Sequence, residues 1–197
     1  MNSKMLAPNI NESQKSLIEN YIKDISKGDK EALSKLYEIT KSSVYGFALS
    51  ILKNMHDAED VLQEVYVKIY ENASLYQANK KPLAWILKIT KNLALMKIRK
   101  NKNHNNIDDF RETLSDYKEI TDNEDKMLIV TIFEEISDEE RNIIVLHSVS
   151  GFKFREISKL LEMPLATVLS KYNRAIKKIK ERMGEEIKWK RKKLKKD

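Results

Sequence analysis

The chain has 197 residues, 41% of them hydrophobic, with only 4 Gly and 3 Pro; the apolar residues recur at helical spacing, so an all-α fold is expected. Cys is absent, which excludes disulfides, thiol catalysis and cysteine-ligated zinc, and His56, His104 and His147 form no ligand spacing, so each is expected in a loop or on the surface and neither metal nor cofactor is expected. The net charge of +7 is uneven: from Lys171 to Asp197 there are thirteen Lys or Arg against four Asp or Glu, a basic end that suits a polyanion, nucleic acid first.

The opening "MNSKMLAPNINESQKSL" lacks the apolar run of a signal peptide, and no stretch approaches the roughly 18 apolar residues of a membrane span. A cytoplasmic location is expected. Residues 1–14 read as an extension, and 15–103 as a first helical domain. Within it, "MHDAEDVLQEVYVKIY" places Val61, Val65 and Ile69 every fourth residue, with Leu62 and Tyr66 beside them. That is one buried stripe of a helix, with Asp57 as its expected N-cap. The acids Glu59, Asp60 and Glu64, with Gln63, fall on the other faces. They are unexpected in a basic chain.

A second helix is expected from Lys81 or Pro82, since Pro suits a first turn. Its expected buried stripe is Ile86, Ile89, Leu93 and Met96; its polar side carries Lys88, Lys91, Asn92, Lys97, Arg99 and Lys100. The connection before it holds Tyr76 among amides and lysines. Cations along a helix with Tyr76 and Trp85 nearby suit unstacked or single-stranded nucleic acid, the cations following the backbone and the rings taking bases. Trp85 is equally well read as a core residue.

Residues 104–122, rich in Asn and Asp, read as a linker. A second helical domain is expected at 123–183. It contains a capping box at Ser137 and Glu140, whose helix runs through Ile143, Ile144, Leu146 and Val149 and stops at Gly151. Ile157, Leu160 and Leu161 mark a short helix, "EMP" a turn, and Leu165 begins a longer helix buried along Val168, Tyr172, Ala175 and Ile179. A short helix, a turn and a longer basic helix form a helix-turn-helix pattern. Thr167, Ser170, Lys171, Arg174 and Lys178 are expected to point away from the buried stripe, where hydroxyls and cations reach base edges or phosphates. Residues 184–197 form a basic tail, read as a helical extension or an unfolded segment.

Both blocks resemble one family. "DAEDVLQEVYVKIY" with "PLAWILKITKNLALMKIRKNK" is similar to region 2 of the sigma-70 family of bacterial RNA polymerase initiation factors, of the small two-domain, extracytoplasmic-function type. "ISDEERNIIVLHSVSGFKFREISKLLEMPLATVLSKYNRAIKKIKE" is similar to its region 4. The two cover about three-quarters of the chain in the family's order. The resemblance implies a non-catalytic subunit that binds core polymerase and directs initiation. Asp57, Asp60, Gln63 and Glu64 would then face the arginine-rich clamp helices of the polymerase's largest subunit, as charge-assisted pairs. Tyr76, Lys80, Lys81, Trp85, Lys88, Lys91, Asn92, Arg99 and Lys100 would recognise and open the −10 element, stacking and pocket contacts offsetting the unpairing of a base. Thr167, Ser170, Lys171, Arg174 and Lys178 would read the −35 element in the major groove. The partners implied are polymerase core and promoter DNA, with an anti-sigma protein as a further candidate and no small-molecule substrate.

The chain departs from the family pattern at several positions. Glu162 replaces a turn Gly, which in a left-handed backbone costs roughly 1–2 kcal/mol. Ala166 replaces a second Gly, Leu169 a Lys and Lys171 an Arg; these changes bear on −35 specificity. Lys153 stands where a capping Ser or Thr is usual, and Met96 where an Asp is common. The Lys-rich tail lies outside the pattern; it reads equally as a source of nonspecific, salt-dependent DNA affinity or as a membrane-surface or inert extension. A stand-alone helix-turn-helix regulator is the competing reading, but it gives the acidic helix no use. An enzyme acting on nucleic acid finds no carboxylate cluster, His pair or phosphate loop.

Overall fold

The computed structural model describes residues 12–78, 81–102 and 136–193, with backbone alone at 12, 102 and 185–193. Every regular element among them is helical: α1 (Glu12–Ile25), α2 (Lys30–Leu52), α3 (Met55–Asn72) with a 3₁₀ turn at Ala73–Leu75, α4 (Pro82–Lys102), α5 (Asp138–Ser148), α6 (Phe154–Leu161) and α7 (Leu165–Lys193). Lys80, the linker 104–122, the start of the second block before 136 and the last four residues of the tail lie outside the described residues. The tail backbone continues α7 as far as Lys193.

Two short connections set the first block. Asp29 caps α2 through its side chain, accepting the N–H groups of Glu31 at 2.8 Å and Ala32 at 3.1 Å. Lys53 ends α2 in the left-handed region at φ 57°, its N–H returning to the Leu49 carbonyl. The cap of α3 is Asn54 and not Asp57: Asn54 Oδ1 accepts the Asp57 N–H at 2.9 Å. Only Lys53 and Asn54 separate the two helices, so α3 starts earlier than the apolar stripe alone suggests. Asp57 falls inside the first turn, where the helix dipole still favours a carboxylate.

Val61, Val65, Tyr66 and Ile69 of α3 are buried, as the stripe predicts; Ala58 joins them, and Leu62 is half-buried. Tyr66 lies edge-on to Tyr37, with centroids 4.8 Å apart, and its hydroxyl meets Thr40 Oγ1 at 2.7 Å. The Thr40 hydroxyl donates to the Leu36 carbonyl, so Tyr66 is the donor of the pair. Burial pushes the Tyr66 hydroxyl well above its ordinary pKa. It therefore stays a neutral donor.

On α4 the stripe differs from expectation. Leu83, Ile86, Leu87, Thr90, Leu93 and Ala94 are buried, while Ile89 is half-buried and Met96 is 61% exposed. At about 100° per residue the buried sector centres near Thr90, and Ile89 and Met96 sit on its edge. Small Thr90 and Ala94, invisible to an apolar count, mark the true centre. Thr90 is satisfied by donating to the Ile86 carbonyl at 3.1 Å.

In the second block the Ser137–Glu140 capping box is formed in both directions. Gly151 turns the chain at φ 68°, and Glu162 ends α6 at φ 58°, the left-handed turn in which Gly would be unstrained. Lys153 caps α6 without a side-chain bond; Glu156 alone closes the motif, accepting the Lys153 N–H at 2.9 Å. Val149 is 45% exposed at the C-cap of α5. His147 is neither a loop nor a surface residue. It is half-buried on α5, stacked on Phe154 at 4.4 Å and edge-on to Tyr172 at 5.1 Å, with Nδ1 2.9 Å from the Phe152 carbonyl. His56 is exposed on α3, and His104 lies outside the described residues.

The two blocks share one core. Ile143, Leu146, Phe152, Ile157 and Val168 join the cluster formed by α1 to α4, while Ile136, Ile144 and Ala175 form a smaller one. Gly46 on α2 faces Val145 and Val149. Ser50 Oγ meets the Asn142 amide at 2.8 Å, and Lys53 pairs with Asp138. Arg141, 6% exposed, reaches the Ser50 carbonyl at 3.4 Å, the Ile136 carbonyl at 3.2 Å and Asp138 at 3.2 Å. Burial lowers its pKa and Asp138 works against that, while three acceptors compensate the buried cation.

Candidate nucleic-acid interface

The four residues expected to face polymerase all lie on α3, but they divide into two pairs. Asp57 accepts Lys97 Nζ at 3.1 Å and Asn101 Nδ2 at 2.9 Å; Asp60 accepts Lys97 Nζ at 2.6 Å. The Lys97 ammonium, by hydrogen bond and charge, holds the Asp60 carboxyl below its usual range, and Asp60 in turn raises Lys97. Lys97 therefore leaves the polar face assigned to it and ties α4 to α3. Gln63 and Glu64 are exposed. Val67, 55% exposed, and Tyr70, 41% exposed, extend their face by one and two turns. These two were not singled out in the sequence, although the i+4 and i+7 spacing from Gln63 was the available signal.

Of the residues assigned to the −10 element, Lys81, Lys88, Asn92, Arg99 and Lys100 are exposed. Tyr76 is not a free loop ring. It is half-buried, its hydroxyl donates to Glu19 at 3.0 Å, and its ring lies 5.1 Å from that of half-buried Trp85. Both rings pack against the core. Lys91 is turned to the second block, donating to the Leu160 carbonyl and to Glu162, each at 3.2 Å. Lys80 lies outside the described residues.

On α7 the expectation that five side chains point away from the buried stripe holds for exposed Ser170 and Arg174. Thr167 is half-buried. Lys171 pairs with Glu139, and Lys178 reaches Glu140 at 3.0 Å; Arg174 Nε lies 3.5 Å from the same carboxylate. Lys171 and Lys178 stand roughly 60–80° from Val168, so their flexible stems bend over the stripe's edge to α5. Glu140 is only 2% exposed. Burial alone would raise its pKa, but the Ser137 N–H and then the Lys178 ammonium outweigh it and hold the carboxyl below its usual range. One buried carboxylate thus caps α5 and gathers cations of the helix-turn-helix.

No helix among the described residues is long and apolar enough to cross a membrane. Among them, no group of three or more His, Asp or Glu is placed to hold a metal.

Comparison with known proteins matches both blocks. The family model for sigma-70 region 2 covers residues 36–104, and that for sigma-70 region 4 covers residues 126–179. The chain is 29% identical over 172 residues to the ECF RNA polymerase sigma factor SigW of Bacillus subtilis, spanning 80% of this chain and 92% of that one. It is 25% identical over 162 residues to the ECF sigma factor SigK of Mycobacterium tuberculosis, spanning 77% and 86%. Its fold is similar to that of CnrH, solved with the cytosolic domain of CnrY, at a TM-score of 0.63 over 85% of this chain and 97% of that one, with 17% identity. It is also similar to RpoE of Bartonella quintana, solved with the anti-sigma factor NepR, at a TM-score of 0.60 over 77% and 96%, with 18% identity. With region 2 and region 4 both matched, in order, across well over half its length, the chain belongs to the sigma-70 family, in its extracytoplasmic-function group.

Proposed function

We propose that this protein is a sigma factor: a non-catalytic subunit, acting in the cytoplasm, that binds bacterial core RNA polymerase and directs it to promoters. The observation that carries this is the pairing, in one chain, of a region 2 block bearing an outward acidic face with a region 4 helix-turn-helix. A DNA-binding regulator alone has no use for that face.

In this reading Gln63 and Glu64, with Val67 and Tyr70 beside them, make the outer part of the polymerase surface, and Asp57 and Asp60 its Lys97-bound inner edge. Exposed carboxylates speed encounter with a basic partner, and an adjacent apolar strip supplies area to bury. Lys81, Lys88, Asn92, Arg99 and Lys100 track the −10 strand, with Trp85 and Tyr76 supplying ring surface near them. Lys91 joins them only when α6 moves off α4, because its ammonium is otherwise held by Leu160 and Glu162. Ser170 and Arg174 lead the −35 contacts; Thr167, Lys171 and Lys178 flank them. An anti-sigma protein is a further partner in this reading, as for the Bartonella quintana relative solved with NepR.

Size-exclusion chromatography with sigma-free bacterial core polymerase tests the proposal. Co-elution is expected. A chain that elutes alone yet binds duplex DNA would transfer the assignment to a stand-alone regulator.

A further inference from the structure

A cleft of about 360 Å³ opens where the two blocks meet. One wall is the start of α4, the other the turn from α5 and the outer side of α6, with α1 at the rim. Its lining is unusual for an interior seam. It includes five lysines, Lys15, Lys81, Lys88, Lys153 and Lys159, and one acid, Glu156. Glu156 is already engaged by the Lys153 N–H. Lys88, Lys153 and Lys159 are exposed and enter no ion pair among the described residues. The first turns of α4 and α6 also line the cleft, and helix N-termini add positive potential.

A further feature indicates a ligand that is more than an anion: Trp85, Leu83, Pro82 and Phe152 give the cleft an apolar side.

We propose that this cleft binds a nucleoside polyphosphate, held between the two blocks. The class follows from the chemistry. A flat, largely apolar ring system suits the Trp85 side, and several linked negative charges suit the lysines of the two walls. The volume is that of a small-molecule site and not of a macromolecular groove. Because Lys88 belongs to the first block and Lys153 and Lys159 to the second, a bound nucleotide would bridge them. It would also occupy Trp85 and Lys88, which the −10 strand would otherwise use. This site does not depend on polymerase binding, so failure here leaves the sigma assignment standing, and the reverse.

The test is isothermal titration calorimetry of the full chain alone with GTP, ATP, guanosine and inorganic tripolyphosphate. A nucleoside triphosphate is expected to bind about tenfold more tightly than either guanosine or tripolyphosphate, since only it uses both halves of the site. Lys88→Glu and Lys159→Glu, on opposite walls and both exposed, are each expected to weaken binding by about tenfold with an unchanged circular dichroism spectrum. Tripolyphosphate binding as tightly as GTP would overturn the proposal, as it would mean a basic surface only. So would GTP affinity indifferent to Lys159→Glu, or binding seen with a single-stranded oligonucleotide and not with any nucleotide.

Discussion

Replacing Glu140 by Gln separates the two tasks that this buried carboxylate performs. Gln at the third position of a helix still accepts the Ser137 N–H, so the capping box survives. The charge does not, and with it go the pair to Lys178 at 3.0 Å and the longer one to Arg174 at 3.5 Å. Neither cation is stranded by the change, because their side chains are 39% and 57% exposed and hydrate readily. The charge pairs are therefore discounted, and the loss is expected to be about 1–2 kcal/mol at neutral pH. Because the folded carboxyl titrates below its ordinary value of 4.5, its contribution is complete above that value and fades as the pH falls through the lowered folded pKa. Urea unfolding of both proteins at neutral pH and below pH 4 measures this. The gap should be present at neutral pH and shrink in acid. The freed Lys178 and Arg174 should also raise nonspecific duplex affinity and steepen its salt dependence by up to about two in the logarithmic slope. A gap of equal size at both pH values, or an unchanged salt slope, would refute the account of Glu140 as the partner of these cations.

Charge reversal at Glu64 (Glu64→Lys) should weaken co-elution with core polymerase while the melting temperature stays within a degree or two, because Glu64 is exposed on α3; retained binding would remove it from the interface. Leu146→Ala, at a fully buried position in the core common to both blocks, should cost roughly 2–5 kcal/mol and leave a single cooperative unfolding transition. Two resolved transitions would mean that the blocks unfold separately. Glu162→Gly relieves the left-handed backbone at φ 58° and gives up a surface pair with Lys91 whose acid is 79% exposed. A net gain of up to about 1 kcal/mol in denaturant unfolding is expected, and a loss would show that the Lys91 pair outweighs the strain. Arg174→Ala should lower transcription from a −35-dependent promoter, and an unaffected transcript would remove Arg174 from that contact.

Much of the architecture was legible in the chain because local rules and packing agree there. The α3 stripe, the Ser137–Glu140 box, the stop at Gly151 and the left-handed Glu162 each depend on neighbours within a few residues. Where the sequence misled, small or polar residues carried the packing. Thr90 and Ala94 moved the α4 stripe off Met96, and Asn54 took the cap from Asp57 because α2 ends so close by. His147, taken for a surface residue, is stacked in an aromatic trio assembled from three helices.

What the sequence by itself determined is the inventory: helices, a helix-turn-helix, an acidic face on α3, basic faces on α4 and α7, and the family that combines them. Only the tertiary structure decided which of those charges remain open. Lys97 is spent on Asp57 and Asp60, Lys91 on α6, and Lys171 and Lys178 on α5, while Lys88 and Lys159 line one cleft. The reason is that periodicity fixes the face a side chain leaves from, whereas a lysine's long stem reaches whichever carboxylate a neighbouring helix brings within range.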